Sequence, residues 1–240
     1  MERRHLLRAV PVLPLVAIGR PAGAATTDLI LNCDTTLGPA MTIAAARFFR
    51  KANVRVRVFP TGPGLILPQL AREVQNDLVC TAKSACGAAI RTNLIAPDAP
   101  RGAWRNRLVI AGRQGSGPDA LKGRIAVSDA TPASDMDGPA IVQALALGQS
   151  AILGVIDTDE VAFLLREATA DAGLLHMTDI KANPELQVLH VVPDGAAPAI
   201  TYAIAVTKLA RRPDPQAFVE FLMTPEAAVV LQAQGLEVAA

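Results

Sequence analysis

Beyond residue 27 the chain alternates short runs rich in Val, Ile and Leu with longer segments of helical period, and this alternation restricts the fold more than any other feature. Strands separated by helices cannot pair as hairpins. They read as βαβ units that build a mostly parallel sheet with helices on its faces. Residues 28–33 form the first strand, and 39–51 follow as a helix with Pro39 in its first turn and Met41, Ala44, Ala45 and Phe48 on one face. Further strands are expected at 54–59, 77–81, 107–112, 124–129, 172–176, 186–192 and 200–206. Between them lie helices from the Gly/Pro turn at 60–64 to about Gln75, at 138–147 and at 158–168, with a loop at 130–137; two more helices close the chain. Thr158-Asp159-Glu160 opens one of these helices, with Thr158 expected to supply the cap oxygen.

The first 24 residues stand apart. Arg3, Arg4 and Arg8 precede an apolar run at 9–19, and Ala22-Gly23-Ala24 supplies the small residues of a cleavage site, which is the order of an export signal. The run is too short to cross a bilayer. Arg3-Arg4-His5-Leu6-Leu7-Arg8, with Arg20 further on, also resembles the twin-arginine pattern, ordinary secretion being the alternative route. A periplasmic protein lacking residues 1–24 is therefore expected. Removing them takes four of the 23 basic and one of the 22 acidic residues, leaving 19 against 21, or −2. No Lys/Arg cluster remains, which argues against nucleic acid as a partner.

Composition narrows the classes further. Hydrophobic residues at 51% and charged residues at 19% exclude disorder and coiled coil, while aromatics at 3% leave too few rings for a sugar platform or a cation cage. Cys33, Cys80 and Cys86 are an odd count, so in an oxidising compartment they make one disulfide and a free thiol, or three buried thiols. Cys33 and Cys80 end strands expected to be neighbours, so a disulfide, a thiol pair and a soft-metal site all stay open. No CxxC spacing is present, and no metal or cofactor is expected.

The order of elements resembles the periplasmic solute-binding proteins of ABC importers, most closely the molybdate-binding branch of the two-lobed, two-crossover class. The resemblance rests on Asp28-Leu29-Ile30-Leu31 with Thr36-Leu37-Gly38-Pro39-Ala40-Met41, on Asn76-Asp77-Leu78-Val79-Cys80-Thr81-Ala82, and on Gly123-Arg124-Ile125-Ala126-Val127-Ser128-Asp129. Ala170-Asp171-Ala172-Gly173-Leu174-Leu175 and the closing stretch 218–228 extend it over nearly the whole exported chain. It implies an α/β fold of two lobes, each a mostly parallel sheet flanked by helices. Lobe one would hold residues 26–107 and 206–240, lobe two residues 108–205, with crossovers at 107–112 and 200–206. The ligand would lie between the lobes, at the carboxyl ends of the strands.

In the family it resembles, hydroxyls and backbone N–H groups at helix starts hold an oxyanion, as helix N-termini can do without a paired cation. Carried over residue by residue, the first-lobe serine becomes Thr36. The second becomes Gly62 within Thr61-Gly62-Pro63-Gly64, which leaves the Thr61 hydroxyl and backbone N–H groups. An alanine whose N–H faces the anion becomes Asp137, a helix-start residue becomes Thr158, and a tyrosine becomes His176. A carboxylate ~4 Å from a dianion costs several kcal/mol even at an effective dielectric of ~20. Either Asp137 turns away, or it is protonated, or the ligand is not molybdate. Asp137, Thr36 and Thr158 also read as ordinary helix caps, and His176 as a structural histidine.

The resemblance implies a monomeric, non-enzymatic binder that captures a small solute or a molybdate- or tungstate-like oxyanion and hands it to a membrane ABC permease. Other readings are a sensor subunit presenting the same cleft, a binder of another solute or a metal species, and a periplasmic enzyme using His176 with Asp135, Asp137 or Asp34 as acid and base. No GxSxG, HExxH or paired-carboxylate motif supports the enzyme.

Overall fold

The computed structural model describes residues 28–128, 137–147, 152–155, 157–197, 200–211 and 214–238. The expected export signal at 1–24, Asp135, and residues 130–136 of the expected loop lie outside them. From the amino end the elements are β1 (Leu29–Asp34), a 3-10 turn (Thr35–Leu37), α1 (Gly38–Ala52), β2 (Val56–Thr61), α2 (Pro63–Ala71), β3 (Leu78–Ala82), α3 (Lys83–Arg91) and β4 (Arg101–Asn106). The middle of the chain supplies β5 (Leu108–Arg113), β6 (Ile125–Ser128), α4 (Gly138–Ala144), β7 (Ile152–Val155), α5 (Thr158–Arg166), β8 (Ala172–His176), α6 (Met177–Ala182) and β9 (Leu186–Val191). The chain then returns through β10 (Ile200–Val206), α7 (Pro215–Leu222), α8 (Pro225–Ala233) and β11 (Leu236–Val238).

These strands form two sheets, ordered β11-β4-β10-β3-β1-β2 and β7-β6-β8-β5-β9. Both are mixed: β1 runs parallel to β2 and β3, and β6 parallel to β7 and β8, while β10 and β5 run against their neighbours. The α/β layering expected from the alternation, and the two lobes implied by the family resemblance, hold. One crossing between sheets is Arg107, the single residue between β4 and β5. The other needs a correction. Residues 200–206, expected as a crossover closing lobe two at 205, lie wholly in the first sheet, where β10 pairs with β3 and β4. The return crossing falls between β9 and β10, before residue 200, because the run Ile200–Val206 is buried on both sides by first-sheet strands.

The two lobes are filled differently. Around β1, β3 and β10 the core carries Phe48, Phe218 and Phe221, with ring centroids 5.2 to 6.3 Å apart, and the buried Trp104. Aromatic contact of this kind adds about 0.5–1.5 kcal/mol per pair to area burial. One face of the second sheet instead packs Val109, Val161, Leu165, Leu175 and Leu186, all aliphatic. Cys33 and Cys80 stand side by side in register on β1 and β3. All three cysteines are free and buried. Burial, reinforced by Asp34, pushes the Cys33 and Cys86 thiols up, Cys86 to about 11, and Cys80 is raised too, burial again coming first. Buried thiols held above the ordinary range are poor nucleophiles.

Periodicity does not reveal β4, β7, β11, α3 or α6. β4 reads Arg-Gly-Ala-Trp-Arg-Asn without alternation, β7 has four residues and β11 three, and α6 spans six. Among the described residues no helix is long and apolar enough to cross a membrane.

Candidate functional site

Parallel strands put their carboxyl ends on one edge of a sheet, and the loops there are free to meet a ligand. In the first sheet that edge carries Asp34, in register with Thr61, and then the starts of α1, α2 and α3. In the second sheet it carries Ser128, in register with Val155, and the starts of α4, α5 and α6. The backbone thus gathers Thr36, Thr61 and Gly62 on one edge, and Asp137, Thr158 and His176 on the other.

The two sets of helix starts are finished in opposite ways. α1, α2 and α3 follow Leu37, Gly62 and Ala82, and none has a side-chain cap. Gly62 leaves open space, since a Cβ built there meets no heavy atom within 4 Å. Pro39 and Pro63 remove one donor each from the first turns of α1 and α2, and the Gly38 and Leu65 N–H groups donate to the Thr35 and Gly62 carbonyls, so only the N–H groups left over are what these ends can offer. Each start on the second edge is closed by its own carboxylate. Asp137 accepts from the Ala140 N–H at 3.0 Å, Asp157 from the Glu160 N–H at 2.9 Å, and Asp179 from the His176 N–H at 2.9 Å.

This corrects one reading and refines others. The cap of α5 is Asp157, not Thr158, which is the first helical residue and buried. Asp has the shorter reach to the third N–H from an extended residue, and Asp157 has that backbone. Asp137 is a cap, and it is exposed. Thr36 caps nothing; its hydroxyl lies 3.4 Å from the Tyr202 hydroxyl on β10.

His176 is buried, and among the described residues its carboxylate partner is Asp179, three residues on, rather than Asp137 or Asp34: Nδ1 lies 3.2 Å from Oδ2. Since an ionised carboxylate only accepts, Nδ1 carries the proton, and in the neutral ring Nε2 presents a lone pair. Nε2 is buried with no hydrogen-bond partner among the described residues. Asp179 also acts across the molecule. Burial first, then Asp34 and to a lesser extent Asp179, push the Tyr202 hydroxyl far up, against the contact with the Thr36 hydroxyl. Burial, then Asp157 and Asp179, lift Asp159 above the ordinary carboxylate range. Asp179 lies in α6, next to Thr178. Alongside it Asn106, the last residue of β4, donates to the Thr178 hydroxyl at 2.8 Å and ties α6 to the first sheet.

Sequence reasoning misses Asp179, Tyr202 and the Asn106–Thr178 tie. His176-x-x-Asp179 carries the spacing of a helix-start box, and Tyr202 is the single tyrosine of the chain. A surface recess of about 500 Å³, lined by Arg113, Ser116, Asp119, Lys122, Gly123 and Asp171, lies at the opposite end of the second sheet. Its charges are largely paired internally, Lys122 with Asp119 and Asp171 with Arg124. Among the described residues no group of three or more His, Cys, Asp or Glu is arranged to hold a metal ion.

Two α/β lobes joined by two crossings, with facing rows of helix starts, define the architecture of a periplasmic binding protein. Residues 29–237 match the pattern of the bacterial extracellular solute-binding proteins, and the chain belongs to that family. Solved structures with the same fold include the substrate-binding domain of a putative molybdenum ABC transporter from Clostridium difficile, at 21% identity and a TM-score of 0.71, over 89% of this chain and 99% of that one. The periplasmic molybdate-binding protein of Azotobacter vinelandii matches at 13% identity and 0.72, over 89% and 100%. Peb3 from Campylobacter jejuni matches at 18% and 0.68, over 88% and 100%. Among curated proteins, an aconitate isomerase of a Pseudomonas species is 21% identical over 255 residues, 95% of this chain and 97% of that protein.

Proposed function

We propose that this chain is exported through its amino-terminal signal, works in the periplasm as a monomer, and binds a small ligand bearing an anionic group for delivery to an ABC permease. Thr36, Thr61, Gly62, Asp137, Thr158 and His176 line its cleft. The observation that carries this reading is the row of uncapped helix starts at α1, α2 and α3 beside the open space over Gly62. N-termini of this kind receive anionic groups. The molybdate-binding relatives support an oxyanion of the molybdate or tungstate kind, and a structure of PEB3 holding L-phospholactate supports an organic anion. A thermal-shift screen of the exported protein against oxyanions, metal ions and small organic acids tests the reading, since a ligand of the native state raises the transition temperature by mass action. No shift from any class would remove it.

A second reading is a proton-transfer enzyme. It is favoured by the buried His176–Asp179 pair and by the aconitate isomerase that aligns along almost the full length of both chains. A histidine oriented by a carboxylate can take and return a proton at carbon. Incubation with aconitate in heavy water, followed by proton NMR, decides it: deuterium incorporation or movement of the double bond supports an enzyme, and neither leaves a binder.

A further inference from the structure

The geometry points to a zwitterionic ligand, a small amino acid or close analogue, whose carboxylate meets the open helix starts of lobe one and whose protonated amine is accepted by His176 Nε2 and the acids of lobe two. This deepens the solute-binding reading and rests on it. In the neutral ring, with the Nδ1 proton directed at Asp179, His176 presents a buried Nε2 lone pair with no partner among the described residues. A buried polar atom left unmatched is destabilising, and an N–H donor from a ligand is what would satisfy it. An oxyanion without protons has none to give.

Charge at the same edge selects among donors. The described residues at these strand ends and helix starts include the acids Asp34, Asp137, Asp157, Asp159, Glu160 and Asp179, against the exposed Lys83 at the start of α3 and against Arg105 and Arg107 at the end of β4, which are already paired with Asp194 and Glu237. A hydroxyl could donate to Nε2, but it would do nothing for this negative field, whereas an ammonium group donates and neutralises together. Aromatics make up only 3% of the chain, so a quaternary amine would find no cage, and a primary amine with three N–H donors fits better. The opposite pole is set by lobe one, where Gly62 keeps room for a carboxylate over the unclosed end of α2.

The test is calorimetric titration of the exported protein with proteinogenic amino acids, their matched 2-hydroxy acids, dicarboxylates, molybdate and sulfate. The expected result is an amino acid binding at least tenfold more tightly than its hydroxy counterpart, with that preference falling toward unity in His176→Leu. If that variant does not fold, the amine-to-hydroxyl ratio in the wild type decides alone. Binding confined to hydroxy acids, dicarboxylates or oxyanions overturns the inference and leaves the solute-binding reading standing. Silence from the whole panel overturns it as well. A small-molecule cell extract added in a thermal-shift assay then shows whether the solute-binding reading survives, by raising the transition temperature, or fails with it.

Discussion

The two edges that face each other across this molecule are built from the same part, a strand running into a helix, and finished with opposite chemistry. In lobe one the helices open on Leu37, Gly62 and Ala82, residues that cannot satisfy an N–H with a side chain. In lobe two they open on Asp137, Asp157 and the His176–Asp179 pair, which satisfy their own. An open helix start gains nothing until something anionic arrives, whereas a closed one is stable alone. In the proposed binding mode lobe one keeps its leftover backbone donors for a ligand, while lobe two has used donors of its own and displays the carboxylates that took them.

The comparison can be broken most forcefully at Asp179. Its carboxylate serves both the His176 N–H and the His176 ring, and all of these groups are buried. Asp179→Ala removes a cap and strands two donors, so the expected loss is roughly 2–4 kcal/mol in urea unfolding. The mirror substitution in lobe one, Thr36→Val, gives up a single 3.4 Å contact and should cost under about 1 kcal/mol. Equal losses would end the contrast. Next in size comes Gly62→Leu, which fills the open space over α2. Its φ of −54° suits any residue and a Cβ there meets no heavy atom within 4 Å, so the transition temperature should hold. Affinity for a ligand found by the screens should fall at least tenfold, about 1.4 kcal/mol. Unchanged affinity would separate Gly62 from the site.

How much of this was legible in the sequence divides along the same line. β-rich runs alternating with helical ones carry the α/β layering, the resemblance to the solute-binding family carries the two lobes, and Thr36, Gly62, Asp137 and His176, matched through that resemblance, fall just beyond or at strand ends. The capping of α4 by Asp137 follows from the local run Asp137-Gly138-Pro139. Interactions between distant segments were not legible. The contact of Thr36 with Tyr202 spans 166 positions, and that of Asn106 with Thr178 spans 72; no local period encodes either. The strand 200–206 shows the same limit, since its apolar run announces a buried strand without saying which sheet receives it. Asp157 and Thr158 differ for a smaller reason: both residue types cap helices, and one step of backbone conformation selects between them.

A finer test of lobe two's self-closure is Asp157→Ala. The carboxylate is exposed and accepts from one N–H, so the expected cost is about 1 kcal/mol, with Thr158 unable to take over because it already lies within the helix. Asp157→Asn, which keeps the acceptor and loses the charge, should restore most of it. If Asn fails to rescue, charge at the helix start outweighs the hydrogen bond.

The smallest expected effect is at Asp159, where two electrostatic influences oppose. As a residue of α5's first turn it is favoured by the positive end of the helix. Partial burial, and after it Asp157 and Asp179, disfavour its charge and raise its folded-state titration above that of the unfolded chain. An acid raised in this way takes up its proton more readily when folded, so the native state loses stability as pH rises through the carboxylate range, and the penalty is complete above the folded value. Asp159→Asn escapes that penalty. The variant should therefore unfold slightly later than the wild type at neutral pH, by no more than about 0.5 kcal/mol for so exposed a position, and the advantage should vanish as both are acidified below the ordinary aspartate range. Scanning calorimetry at neutral and acid pH reads this difference directly. A variant less stable at neutral pH would mean that the helix end outweighs the neighbouring carboxylates, and that the acids of lobe two are less crowded than their positions around Asp159 imply.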